Sequence, residues 1–288
     1  MMPWMNSAIF LTLLLASFQL SSLTRFAICV CSYNNEKYIE WNLRSLLYQD
    51  YNEDYFHIYY INDISTDNTL KKAKAFVADC GKEHLVTFID NKEKRYQAGN
   101  YYHCIHDFIE DNAVVVTVDG DDALPHDRVL SYLDSVYSDP SIYLTYGQYI
   151  EKNSGKIGFN LELHPHTSER HLFRKHVEVF SHLRTFYAWL FKKIRKEDLL
   201  YQGSFCRTAG DVAIMFPMIE MANGHFKFIP DILYIYNDNN PISDGAINAH
   251  AQVNMGSYFR HLRPYRPLDP VVAWNIRPYI TRKLIEVE

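Results

Sequence analysis

The chain has 288 residues, 48% of them hydrophobic and 22% charged, with a formal net charge of −5. That length suits one large domain or two small ones, and the composition is that of a globular protein. The negative balance removes the electrostatic case for nucleic acid. The short basic stretch "RHLRPYRPL" reads as solvated surface or as a clamp for an anionic ligand.

Residues 1–24 form an apolar segment. Its run from Ala8 to Leu20 is short for a membrane span, and no Lys or Arg precedes it as a signal peptide would require. A weak signal or anchor, an extra helix and an upstream start codon remain open. The expected location is cytoplasmic, with peripheral membrane association through this segment and secretory targeting as alternatives. The five cysteines, Cys29, Cys31, Cys80, Cys104 and Cys206, contain no CxxC pair. Cys29 and Cys31 sit two apart on one face of a strand pattern, poor geometry for a disulfide. They read as small buried hydrophobes in a reducing compartment.

"RFAICVCS" predicts a buried first strand, broken by Asn34 and Asn35, with Asn35 as the cap of a helix over "EKYIEWNLRSLLYQ". "HIYYIND" predicts a second strand, "LKKAKAFVA" a helix, "HLVTFID" a third strand and "YYHCIHDFIED" a third helix. "VVVTVDGDDALPHD" then joins a β-branched strand to a cluster of acids. A helix over "DRVLSYLDSVYSD" and a strand over "SIYLTYGQYI" follow. Glu151 to Arg170 reads as loop, "SHLRTFYAWLFKKI" as an amphipathic helix and "GDVAIMFPMIEMANG" as a helix stopped by Gly224. "HFKFIPDILYIYN" reads as a strand pair or hairpin.

Short apolar strands alternating with amphipathic helices predict an α/β fold, a mostly parallel sheet with helices on both faces. Ligands of such sheets sit beyond the carboxyl ends of the strands. Asn34, Asp63, the loop near Asn91 and the acids from Asp119 to Asp122 are therefore expected along one rim. The organisation expected is a first half over 25–150, a second half over 151–247 in the same domain, and a C-terminal tail over 248–288.

In extended backbone Asp119 and Asp121 face the same way. Two close carboxylates repel unless a cation or strong donors offset them, and hard oxygens suit Mg²⁺ or Mn²⁺. Gly120 is expected to let a bulky ligand approach the main chain, and Asp122 to hold the same ion or support it. The alternative is a solvated turn, since Asp and Gly are common turn residues. Asp63, at a strand end, offers an acceptor for a base imide N–H, while Ser65 or Asp67 offers only a helix cap. Glu36 suits a ribose hydroxyl or base edge, or simply the N-terminal charge of a helix.

"CVCSYNNEKYIEWNLRSLLYQ", "YYINDISTDNT" and "VVTVDGDDAL", in this order, resemble the family-2 type glycosyltransferases of the A-type, nucleotide-diphosphosugar-binding fold. The resemblance covers about Arg25 to Gly147 well. "HLRTFYAWLF", "GDVAIMFPMIEMA" and "YIYNDNNPISD" extend it to a subgroup. It implies that Ser32, Tyr33 and Glu36 contact nucleoside and that Asp63 binds the base. Asp119 and Asp121 fall on the motif that holds metal, ribose and diphosphate, with Asp122 following. Asp211 falls on the helix-start acid used as catalytic base, where the family's usual Glu-Asp pair reads Gly210-Asp211 here.

The implied activity is a hexosyltransferase-like, inverting transfer of a sugar from a nucleoside-diphosphate sugar to an acceptor hydroxyl of a glycan, lipid-linked molecule or protein. The implied cofactor is Mn²⁺ or Mg²⁺. Arg184 is the diphosphate-clamp candidate, with His182 and Thr185 beside it. Gln97 and Asn100 are candidates for the nucleotide pocket, and Asn240, Ser243 and Asp244 for a lid. Two rivals stand against this reading. A nucleotidyltransferase would want a Gly-rich, Lys-containing loop after the first strand, where "SYNNEKY" has no glycine. A non-catalytic sugar-nucleotide scaffold would not need the acids at 119, 121 and 211.

Overall fold

The computed structural model describes residues 23–175, 180–243 and 247–268. The expectations for the N-terminal apolar run and for Asp244 lie outside the described residues. Strands β1 (Phe26–Ser32), β2 (Phe56–Asn62), β3 (Val86–Asp90) and β4 (Val114–Asp119) run parallel. β5 (Leu144–Glu151), β6 (Arg184–Tyr187) and β9 (Phe226–Tyr236) complete a seven-stranded sheet of order β3-β2-β1-β4-β6-β5-β9, in which only β6 runs against the rest. β7 (Leu200–Tyr201) and β8 (Ser204–Phe205) form a separate two-stranded ribbon.

Strand pleating sorts the apolar residues onto two faces. Ile28, Val30, Val114, Val116 and Val118 pack with α1 (Ile39–Leu47), α2 (Thr69–Asp79) and α4 (Val129–Tyr137). Ala27, Cys29 and Val115 pack on the other face with α3 (Tyr96–Phe108) and α7 (Gly210–Ala222). α1 buries Ile39, Leu43, Leu46 and Leu47, a helical spacing that gives it one greasy stripe. Both faces of the sheet are thus covered, which is why β4 reads as a continuous apolar run. All five cysteines are unbridged, and Cys29 lies 3.8 Å from Cys104, sulfur to sulfur.

Several sequence expectations are corrected. "HLRTF" is strand, not helix: Arg184–Tyr187 pairs with β4 on one side and β5 on the other, and only Ala188–Phe191 (α6) turns helical. A segment buried all round carries no usable amphipathic period. The expected hairpin over "HFKFIPDILYIYN" is one long strand, β9. Its register jumps from Ile229 opposite Gly147 to Ile232 opposite Gln148, so Pro230 and Asp231 bulge out. An edge strand tolerates a proline, which lacks the ladder N–H.

Asn35 does not cap α1, which begins after Tyr38 without a side-chain cap. Its N–H donates to Thr69 Oγ1 and its amide to Ser32 Oγ. The Glu151–Arg170 stretch contains a short helix, α5 (Pro165–Glu169), capped by His164. α7 ends as expected, with Asn223 and Gly224 both left-handed. Past it lies α8 (Ala249–His261). In the basic tail Arg263 and Arg266 are exposed, in line with solvated surface, while the backbone is tied down: the Tyr265 N–H donates to Glu220 and the Leu268 N–H to the carbonyl of Met221. Among the described residues no helix is long and apolar enough to cross a membrane. Because β6 is inserted between β4 and β5, the 25–150 and 151–247 stretches share one sheet.

Candidate active site

β1 lies between β2 and β4, so the chain leaves it in one direction along the sheet and returns on the other side. Such a switch point opens a crevice at the carboxyl ends of the strands. The register aligns Ser32 with Asn62, Asn62 with Asp90, and Cys31 with Asp119, so the polar ends form one rim. Loop hydrogen bonds join it up. The Asn34 N–H donates to Ser65 Oγ and the Thr66 N–H to Asn34 Oδ1. Asn91 donates to Asp63 and Gln97 to Asp119. The expected rim is therefore present.

The turn after β4 is held from α1, where the Asn42 amide donates to the carbonyls of Asp119 at 3.0 Å and Asp122 at 2.8 Å. Gly120 has a different reason from the one expected. A Cβ there would lie 2.5 Å from Ser32 Oγ and 2.7 Å from Asn35 Nδ2, so the glycine makes room for its own neighbours rather than for a ligand.

The three acids diverge. Asp119 accepts from Gln97 Nε2 at 3.0 Å. Burial raises its carboxyl to about 6; Arg184 opposes the shift and Asp121 adds to it. Asp121 is half-buried and accepts from the Asn240 amide at 2.6 Å, and burial raises its carboxyl as well. Asp122 is wholly buried. It accepts from Tyr234 O–H at 2.8 Å and from the Asn237 N–H at 2.7 Å, and is pushed up by burial and by Asp121 and Asp119. Tyr234 O–H also accepts from the Asp119 N–H, so one hydroxyl ties the turn to β9.

Beside these acids, Arg184 and His182 are both buried. Arg184 donates to the Phe180 carbonyl, to His182 Nδ1 at 3.2 Å and to Asp211 Oδ2 at 3.2 Å. Three of its five N–H donors are thus engaged by the chain itself, and its charge is stabilised by Asp211 and Asp119. His182 stacks on Tyr234, with ring centroids 4.3 Å apart. Burial and Arg184 hold its pKa well below the usual imidazole value. Asp211 opens α7, with Oδ1 accepting from the Val212 N–H. It stands on a small, shallow cleft lined by Phe159, Phe180, Ser181, Val212, Met215 and Phe216. The missing Glu before it has a cause: a Cβ at Gly210 would come within 2.9 Å of Gln97 Oε1 and 3.2 Å of the Ala98 nitrogen.

The remaining predicted residues lie on the same rim with work inside the fold. Ser32 is buried and its Oγ accepts from Tyr60 O–H at 2.9 Å. Tyr33 is 42% exposed, with the Lys94 ammonium 3.0 Å above its ring. Glu36 accepts from the Asn68 N–H, which holds its carboxyl below the usual range. Asp63 caps α3, accepting from the N–H groups of Arg95 and Tyr96 at 2.9 Å each, and from Asn91. Asn100 accepts from the same Asn91 amide at 2.7 Å. Asn42, Tyr234 and Asn237 were not singled out in the sequence. Each is far along the chain from the acids it holds, and no local pattern marks such a pairing.

Asp119, Asp122 and His182 bring ligand-type atoms within 4.8 Å of one another. Asp119 and Asp122 fit a divalent cation, because burial and the neighbouring acids raise both carboxyls and a cation would offset both costs. His182 fits less well. Arg184 can only donate, so His182 Nδ1 accepts and the neutral ring keeps its proton on Nε2, the atom 4.0 Å from Asp119. A protonated nitrogen has no lone pair for a metal.

The profile of glycosyl transferase family 2 matches residues 27–199, more than half of the chain. No curated protein matches it. Solved structures share the fold. The 1–349 fragment of S. aureus TarS, in complex with UDP-GlcNAc, aligns at 16% identity and a TM-score of 0.56, covering 75% of this chain; this chain spans only 59% of that fragment. The mannosyltransferase PcManGT from Pyrobaculum calidifontis, with GDP-Man and Mn²⁺, aligns at 17% identity and 0.56, covering 85% of this chain and 67% of its own. Glucosyl-3-phosphoglycerate synthase from Mycobacterium tuberculosis, with Mn²⁺, UDP and phosphoglyceric acid, aligns at 12% and 0.55, covering 84% and 80%. With the switch-point crevice, the acid cluster closing β4 and a match running from β1 past β6, the chain belongs to glycosyl transferase family 2 and has the A-type glycosyltransferase fold.

Proposed function

We propose that the chain transfers a sugar from a nucleoside-diphosphate sugar to an acceptor hydroxyl, with inversion at the anomeric carbon, in glycan or glycoconjugate synthesis. The 25–150 stretch holds the donor and the 151–247 stretch supplies the base and the acceptor side. The observation that carries this reading is the bridge through Arg184. It places a carboxylate on an open cleft, Asp211, next to the acids that close β4.

Asp211 takes the proton of the acceptor hydroxyl as its oxygen attacks the sugar from the face opposite the diphosphate. Arg184 fixes the orientation of that carboxylate, and the Val212 N–H fixes its other oxygen. Gln97 orients Asp119 and Asn240 orients Asp121, the two residues that would hold Mn²⁺ or Mg²⁺. Such an ion, when bound, would neutralise charge on the nucleoside diphosphate that leaves. Ser32, Tyr33, Glu36, Asp63 and Asn100 shape the nucleoside side of the crevice. The complexes named above, which hold nucleotide sugars, UDP and Mn²⁺, support this reading of the donor side.

Incubation with Mn²⁺ and a panel of UDP-, GDP- and dTDP-sugars tests it. Donor hydrolysis or transfer is expected, lowered about 10²–10⁴-fold in D211N and lost in D121A. Unchanged turnover in D211N would remove Asp211 from the chemistry. Donor binding without turnover would make the chain a scaffold.

A further inference from the structure

Asp63 follows β2, where the sequence suggests an acceptor for a nucleobase N–H. Its acceptor positions are taken by the chain itself. A carboxylate offers about four of them. Oδ1 takes the Arg95 N–H and the Asn91 amide, each at 2.9 Å. Oδ2 takes the Tyr96 N–H at 2.9 Å and has the Lys94 ammonium 3.4 Å away. The side chain is 5% exposed, and the Asp63 backbone N–H is fixed to the carbonyl of Ser32 at the end of β1. A base N–H reaches this carboxylate only by displacing a well-placed donor.

Two of these donors open α3. The N–H groups at the start of a helix find no acceptor within it, and Asp63 supplies one from another segment. Tyr96 has a left-handed φ of 55°, a conformation that a non-glycine residue keeps only where its surroundings impose it. Asn91 adds a second tie, because its amide also donates at 2.7 Å to Asn100, one turn further along α3. Asp63 therefore sets the direction in which α3 starts.

Gln97 is the next residue, and it carries that direction to the acid cluster. Its Nε2 donates to Asp119 Oδ1 at 3.0 Å. The start of α7 braces it from behind, so closely that a Cβ on Gly210 would come within 2.9 Å of Gln97 Oε1 and 3.2 Å of Gln97 Cβ. With Oδ1 held, Asp119 Oδ2 is left on the His182 side, 4.0 Å from Nε2.

We infer that Asp63 and Gln97 form one positioning unit for Asp119. Asp63 fixes the first turn of α3, and Gln97 on that turn fixes the carboxylate. Groups that orient a metal-binding carboxylate govern its affinity without touching the ion. The inference rests on the reading of Asp119 as a metal-holding residue, and it gives Asp63 a task other than contact with the base.

The test measures Mn²⁺ affinity on the full chain without donor, from the electron paramagnetic resonance signal of free Mn²⁺. Q97M keeps the bulk of the side chain and removes its N–H. D63N removes an acceptor from the first turn of α3. With folding checked by melting curves, Q97M is expected to weaken Mn²⁺ binding about tenfold or more, and D63N by up to the same factor. Because Asp63 acts through Gln97, D63N/Q97M is expected to bind Mn²⁺ no more weakly than Q97M. The relative affinities for UDP, GDP and CDP, by calorimetry at saturating Mn²⁺, are expected to be the same in D63N as in the parent. Unchanged Mn²⁺ binding in either single variant, losses that multiply in the double, or altered nucleotide ratios in D63N would overturn the inference. Should D63N not fold, hydrogen exchange on the parent decides. Arg95 and Tyr96 N–H groups that stay protected with UDP bound support the unit, and protection lost on adding UDP shows the base taking Asp63 and sinks it. A parent that binds no Mn²⁺ removes the metal reading and this inference together. Tight Mn²⁺ binding in the parent and in both single variants removes this inference alone.

Discussion

Asp119 shows how one carboxyl links stability to pH. Its pKa is raised from 3.8 to about 6 in the folded chain, chiefly by burial. The folded state therefore holds the proton more tightly than the unfolded state does between those values. That stabilisation is complete at low pH and is lost as pH rises through about 6. Asn carries no such loss. In EDTA, D119N should melt higher than the parent at pH 8, and the gap should shrink at pH 5; a gap independent of pH in circular-dichroism melts would contradict this origin. Gly120 is the neighbouring case. G120A forces a methyl onto Ser32 and Asn35 and should cost about 1–3 kcal/mol by urea denaturation. S32G should recover part of the loss in the double variant. From the sequence this glycine looked like an opening for ligand, because what fills its Cβ position comes from β1 and its loop.

At the scale of elements, the acids after β4 divide their labour. Asp122 receives Tyr234 O–H and the Asn237 N–H, and so latches the turn to β9. D122A strands two buried donors and should lose about 3 kcal/mol, whereas D121A, which frees only the Asn240 amide, should lose less than about 1 kcal/mol. Equal losses in denaturant titrations would remove the latch. The adjacent residues of "DGDD" read alike in sequence, and only the arrival of β9 separates Asp122, held by Tyr234 and Asn237, from Asp121, held by Asn240. The same holds for β6. "HLRTFYAWLF" has helix-compatible spacing, yet the open edges of β4 and β5 take four of its residues as strand. By contrast β1, β2, β3 and α1 were legible because each is local: an apolar run or a single stripe, closed by polar residues.

Across the whole molecule, the C-terminal segment is bound to the helix that opens with Asp211. Arg174 forks onto Glu220 at 2.5 and 2.8 Å and donates to the carbonyls of Phe259 and Leu262. Both side chains of the pair are buried. Removing one partner leaves a buried charge alone, so R174A should cost about 3–5 kcal/mol. Replacing both, in R174M/E220M, should cost less than R174A. A double variant as unstable as R174A would show that packing of α8, not charge, makes the join.

The sequence alone determined the alternating α/β architecture, the rim and the identity of its acids, because these follow from patterns spanning a few residues and from ligand chemistry carried by residue type. Only the tertiary structure decided which donors hold each acid, why Gly120 and Gly210 have no side chain, and that Arg184 spends its hydrogen bonds on Asp211 and His182. Most of those facts depend on separate segments of the chain meeting at one edge of the sheet, and contact between segments leaves no periodicity along the sequence.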